Sequence, residues 1–207
     1  MRIELNHIGK KYNDNWIFED LNIQFESGNI YPIIGNNGSG KSTLLQIISG
    51  YVTPNEGNIS YIQNDIIPIE NWYKHLSIAA PYLDLFEEFT IDESINLHIK
   101  LKKLELSKES ILSEIELTKH RGKTLKQLSS GMRQRVKLAL AIYSETSVIL
   151  LDEPCSNLDV KWTNWYNEAL AKTLENRIVI ICSNSQSAEL KLANKEAFDL
   201  SSITPSH

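Results

Sequence analysis

Apolar and polar residues alternate from Arg2 to Ile8 and again from Ile17 to Phe25, and a third such stretch, Ile59 to Ile67, follows Gly57. A period of two predicts strands with one buried face, and their closeness along the chain predicts antiparallel pairing. Ile30 to Ile34, Val148 to Leu151 and Ile178 to Cys182 read differently. They are short and apolar throughout, the pattern of strands covered on both faces in a largely parallel sheet. Between Ile91 and Lys119 the period becomes helical, with Ile91, Ile95 and Ile99 four residues apart and Ile111 and Ile115 repeating the step. The expectation is an α/β chain in which an antiparallel lobe and a parallel core, about residues 1–82 and 144–207, accept a helical lobe near residues 83–143. No repeat, linker or low-complexity tract interrupts this order.

The turn that follows Ile30 to Ile34 is Gly35-Asn36-Asn37-Gly38-Ser39-Gly40-Lys41-Ser42, and a helix is expected to begin at Lys41 and run to Ser49. At ordinary glycine usage, chance would supply this spacing with a probability on the order of one percent. Strand, glycine turn and helix together make a phosphate cradle. Glycines let backbone N–H groups face inward, and the helix N-terminus adds positive potential. Lys41 reaches the outer phosphates and the Ser42 hydroxyl ligates Mg²⁺. The candidate nucleotide-binding set is therefore Gly35, Asn36, Asn37, Gly38, Ser39, Gly40, Lys41, Ser42 and Thr43, with ATP and Mg²⁺ as the expected cofactors.

A second chemical segment is Val148-Ile-Leu-Leu-Asp152-Glu153-Pro154. An apolar strand that ends in two carboxylates places Asp152 to hold Mg²⁺ through water and Glu153 to polarise the attacking water. The expected metal residues are thus Ser42 and Asp152, and the expected catalytic ones include Glu153 and Lys41.

Composition narrows the class. The chain of 207 residues, 42% hydrophobic, suffices for one domain with a real core. A net charge of −5 argues against a nucleic-acid partner. Cys155 and Cys182, beside or within apolar strands, are expected as buried free thiols. No secretory signal is expected at Met1-Arg-Ile-Glu4, and the longest apolar runs are far too short to span a bilayer, so any membrane role needs another chain.

Leu128-Ser129-Ser130-Gly131-Met132-Arg-Gln-Arg135 and Ser156-Asn157-Leu158-Asp159 complete the set. With the motifs above, the chain resembles the nucleotide-binding subunits of ABC transporters over essentially its whole length. The first segment is similar to the family signature, with Met132 in the manner of small export-type subunits, and the second to the family's D-loop. Ser129 is placed to cap a helix through Met132, Val136, Ala139 and Tyr143, which brings a hydroxyl, free N–H groups and a helix dipole to one end. The resemblance implies that Ser129 and Gly131 meet the γ-phosphate held by the opposite subunit, so that two cassettes, alike or different, sandwich two ATP molecules. It also implies cytoplasmic attachment to the membrane through a transmembrane permease subunit, whose short helix docks beside Pro81 to Glu93. Tyr12 stands where the family has an aromatic that stacks on adenine, and Trp16 is a rival for that role. Trp162, Trp165 and Tyr166 are expected to be core aromatics.

Two departures stand out. Where the family has a switch histidine after the strand Ile178 to Cys182, this chain reads Ser183-Asn184-Ser185, so Asn184 either approaches the γ-phosphate or caps the segment that follows. The family glutamine of the inter-lobe loop is also missing, and its counterpart is Ala79-Ala-Pro81-Tyr82-Leu-Asp84. Asp84 there is either a water-mediated metal neighbour or a solvated acid. These departures leave room for a low-turnover binding dimer or for the weaker-site subunit of a heteromeric complex.

Overall fold

The computed structural model describes residues 1–184 and 188–203. Two long strands open it, β1 (Arg2–Tyr12) and β2 (Asn15–Glu26). They are followed by β3 (Asn29–Ile34), α1 (Lys41–Ile48), β4 (Glu56–Ile62), β5 (Ile66–Ile67) and β6 (Leu76–Ala79). The helices α2 (Ile91–Leu101), α3 (Lys108–Glu114) and α4 (Ser130–Ile142) come next. The chain closes with β7 (Val148–Asp152), α5 (Val160–Thr173), β8 (Ile178–Ser183) and β9 (Phe198–Asp199).

One sheet is antiparallel in the order β2-β1-β4-β5, and the other is parallel in the order β6-β7-β8-β3-β9. The expected alternation of β1 needs one adjustment. Ile3, Leu5 and Ile8 are all buried although Leu5 and Ile8 are three residues apart. His7, at φ 53°, forms an irregularity in the β1–β2 register that restores the inward direction for Ile8. Asp20, at φ 52° and hydrogen-bonded to His7 at 2.6 Å, does the same between Phe18 and Leu21.

The stretch Ile59 to Ile67 is not one strand but two, because the chain turns at Gln63–Asp65 and β5 returns along β4. The helical stretch Ile91 to Lys119 is likewise two helices. Ile91 and Ile95 are fully buried, whereas Ile99 is 44% exposed and leaves the expected apolar stripe. Strand β6, four residues with a buried serine, carried no periodic signal, yet it pairs with β7 and forms one edge of the parallel sheet.

Successive residues of β7 and β8 face opposite sides, as a doubly covered strand requires. Ile149, Leu151, Val179 and Ile181 join a cluster with α2, α3, α4 and α5. Val148, Leu150, Ile178 and Ile180 join the other, with α1 and the antiparallel sheet. Register brings the ends of the parallel strands level: Ile34 lies opposite Ser183, and Asp152 opposite Cys182. The segments after β3, β7 and β8 therefore leave the sheet side by side at its carboxyl edge, where open α/β sheets bind ligands.

Candidate nucleotide site

The turn after β3 is shaped by glycines in a left-handed conformation that side chains rarely adopt. Gly40 begins α1 at φ 94°, and a Cβ there would stand 2.4 Å from Ile17 Cγ2. Gly38, at φ 84°, has nothing within 4 Å of such a position. α1 has no side-chain cap and no acidic residue in its first turn, so its leading N–H groups and positive end are left for an anion. Asn37, Gly38, Gly40, Lys41, Ser42 and Thr43 line a cavity of about 430 Å³ with Glu153 and Ile17. Ile17, the residue that meets Gly40, was not singled out in the sequence, where it reads only as one more apolar strand position.

Gly35, Asn36 and Ser39 belong to the same loop but do not line this cavity. The N–H of Asn36 donates to Ser201 Oγ at 3.0 Å, and the carbonyls of Gly35 and Asn36 accept from Lys41 Nζ at 2.7 and 3.0 Å. Lys41 is 6% exposed, a buried ammonium held by its own loop. Ser39 Oγ is buried without a hydrogen-bond partner among the described residues.

Ser42 Oγ donates to Asp152 Oδ2 at 2.5 Å, across 110 residues of chain. Burial raises the Asp152 pKa above the carboxylate norm, and the Ser42 hydrogen bond and the Lys41 charge oppose that rise. A hydroxyl and a carboxylate oxygen at this spacing are hard donors of the kind Mg²⁺ takes, so the residues present fit a magnesium–triphosphate. Tyr82, on the loop that lacks a glutamine, feels the same carboxylate: burial first, then the Asp152 charge, raises its pKa. Pro81 is exposed, and Asp84, 82% exposed, pairs with Lys137 at 3.2 Å as a solvated acid would.

Glu153 has φ 47°, a left-handed backbone that costs a non-glycine residue on the order of 1–3 kcal/mol. Its N–H donates to Cys182 O at 2.9 Å. Its carboxylate accepts from Asn184 Nδ2 at 2.5 Å and from Ser156 Oγ at 3.4 Å. Asn184 thus stands on the candidate base itself. The capping alternative concerns residues 185–187, outside the described residues. Cys155 and Cys182 are buried free thiols.

The signature helix α4 starts as expected: Ser129 Oγ accepts from the Met132 N–H at 3.2 Å. Ser129 and Gly131 do not line the cavity over the phosphate loop. A Cβ on Gly131 would lie 2.8 Å from Asn157 O, so the glycine allows α4 to abut the segment after β7. The guanidinium of Arg135 lies 3.8 Å from the Trp162 ring centre, and Asp159 caps α5. Trp165 and Tyr166 are core residues, but Trp162 serves as the platform for Arg135. Tyr12, 47% exposed, and Trp16 lie on the β1–β2 hairpin, and neither lines the phosphate cavity.

The family model described as "ABC transporter" matches residues 18–156. The spermidine/putrescine import ATP-binding protein PotA of Spiroplasma citri is 29% identical over 93% of this chain and 57% of its own length. The sulfate/thiosulfate import ATP-binding protein CysA of Synechocystis is 33% identical over 78% of this chain and 47% of its own length. The chain thus spans about half the length of the curated relatives it matches. These relatives are named for import, whereas the export-type flavour of the signature rests on Met132 alone. Among solved structures, a putative ABC transporter ATP-binding protein from Pyrococcus furiosus has a TM-score of 0.82 at 24% identity, covering 99% of this chain and 100% of that one. A bacterial ABC transporter cassette solved as a dimer has a TM-score of 0.81, also at 24% identity, over 96% and 95%. These likenesses give the fold, and with the family match over residues 18–156 this chain belongs to the ABC transporter ATP-binding family.

Proposed function

We propose that this chain binds ATP with Mg²⁺, pairs with a second cassette, alike or different, and hydrolyses the nucleotide to drive a separate transmembrane permease. The observation that carries the reading is the meeting of Ser42, Asp152, Lys41 and Glu153 at one sheet edge. In this reading the loop N–H groups and Lys41 bind the phosphates, and Ser42 and Asp152 hold Mg²⁺, which supplies charge neutralisation to the outer phosphates. Glu153 orients and deprotonates water, and Asn184 holds the Glu153 carboxylate by its amide. Tyr12 supplies a flat face for adenine, and Ser129 and Gly131 serve the nucleotide of the opposite cassette. Residues near 83–143 act as the lobe that moves between open and closed pairs.

Among the described residues no helix is long and apolar enough to cross a membrane. An apolar groove of about 390 Å³ next to the inter-lobe loop, lined by Ile78, Leu83, Leu85, Leu101 and Leu140, suits a short helix of that subunit, at the cytoplasmic face of the membrane. No nucleic-acid partner is proposed. Asn184 where the family has its switch histidine, and the inter-lobe loop without a glutamine, favour a second reading, in which ATP clamps the pair and turnover is slow or belongs mainly to a partner cassette.

The test is Glu153→Gln. ATP affinity should persist, hydrolysis should fall by about 10²–10³-fold, and light scattering should show dimer on adding ATP. Hydrolysis at the parental rate would remove Glu153 as the base, and a variant that stays monomeric would require a different partner cassette.

A further inference from the structure

The peptide unit that joins Pro154 to Cys155 is gripped at both ends by side chains from distant segments. Its carbonyl oxygen accepts from Gln134 Nε2 at 2.8 Å, and its N–H donates to Glu189 Oε1 at 3.0 Å. Gln134 belongs to the signature helix α4, and Glu189 lies beyond β8. The gripped unit lies one residue past Glu153, the residue with the left-handed backbone, with Pro154 between them. A strained conformation persists only where its surroundings over-determine it, and here two side chains fix the Pro154–Cys155 peptide plane one residue on.

Glu189 has a second attachment. Its Oε2 accepts from the Ser183 hydroxyl, and Ser183 immediately precedes Asn184. The carboxylate is 1% exposed. Burying an acid is costly unless its oxygens are engaged, and both oxygens of Glu189 are engaged on segments that carry a proposed functional residue. Tyr166 O–H to Glu189 O at 3.5 Å and Asn167 Nδ2 to Ala188 O at 3.1 Å tie the backbone of this segment to α5.

We propose that Glu189 is a positioning residue for hydrolysis: one oxygen holds the Pro154–Cys155 peptide, one residue past Glu153, the other holds Ser183 before Asn184, and the two groups are thereby kept in register. Gln134 works on the same peptide from the other side and links that register to the signature helix. The inference rests on the reading of Glu153 as the base.

Single-turnover hydrolysis with enzyme in excess, fluorescent-nucleotide titration and thermal unfolding on the purified chain test it. Glu189→Ala should lower the hydrolytic rate by about 10²-fold while ATP affinity stays within about twofold, because a small misplacement costs rate before it costs binding. Glu189→Gln keeps an acceptor for Cys155 and a polar group for Ser183, and should retain the rate within about threefold. Parental rate in Glu189→Ala, or a proportional loss of rate and affinity, overturns the proposal. If Glu189→Ala does not fold, Gln134→Ala decides: a rate loss at constant affinity supports the peptide grip, and an unchanged rate overturns it. Glu153→Gln runs alongside. If it is inactive while Glu189→Ala is normal, only the positioning role falls; if it hydrolyses at the parental rate, the reading of Glu153 falls first.

Discussion

From Gly35 to Thr43 the phosphate loop is one unbroken segment, shaped by glycine backbone and the start of α1, with its lysine bonded to its own carbonyls. Across the cavity, Glu153 reaches its position through Cys182, Asn184 and Ser156, and the Pro154–Cys155 peptide beyond it through Gln134 and Glu189. The first half is local and the second is assembled. A local device loses its shape with any one member, because the same few residues make both the fold and the contacts. An assembled device is held from several directions, so members can be exchanged. Asn184, on the Glu153 carboxylate, falls in the assembled half.

The largest test of this contrast is Lys41→Ala. The triphosphate would lose its main counter-charge, and ATP affinity or hydrolysis should fall by about 10²–10³-fold in nucleotide titration and steady-state assays. Unchanged affinity together with unchanged turnover would refute the nucleotide site.

Asn184 probes the assembled half, and a smaller effect is expected there. The parent should hydrolyse ATP slowly, Asn184→His should raise the rate, and Asn184→Ala should lower it by no more than about tenfold, with affinity little changed. Steady-state kinetics on matched preparations decide. Equal turnover in all three proteins would mean that the amide on Glu153 contributes nothing to the chemistry.

The smallest effect concerns the far end of α4 and should touch stability alone. The Ser144 hydroxyl donates to Leu140 O at 2.6 Å, so its contact with His98 Nε2 at 2.8 Å requires the ring to be the donor. Burial first, then the Lys102 charge, lowers the His98 pKa from 6.5 to about 4. Between those values the unfolded chain binds a proton that the folded chain refuses. Stability is therefore full above the unfolded value and declines as pH falls from 6.5 toward 4. His98→Gln should reduce the fall in Tm between about pH 7 and pH 5, with turnover at neutral pH unchanged. A parental Tm profile would show that His98 takes no part in the acid response.

The strand periods, the glycine turn, the acidic end of β7 and the cap at Ser129 were legible because each depends on residues close together in the chain. Ile3 and Leu5 mark a face by spacing alone, and Gly38 and Gly40 mark left-handed positions that side chains rarely adopt. What tertiary structure decided has long-range causes. The bulges at His7 and Asp20 appear only when two strands are paired. β6 has no period of its own and exists because β7 offers an edge. Ile17 against Gly40, Tyr82 near Asp152 and Glu189 on the Cys155 N–H join residues 23 to 70 positions apart. Sequence by itself determined which segments are the candidates for phosphate, metal and base chemistry, because those groups must be presented by a particular local backbone. Packing alone decided which other side chains hold them in place, since a hydrogen bond between distant segments leaves no period in either one.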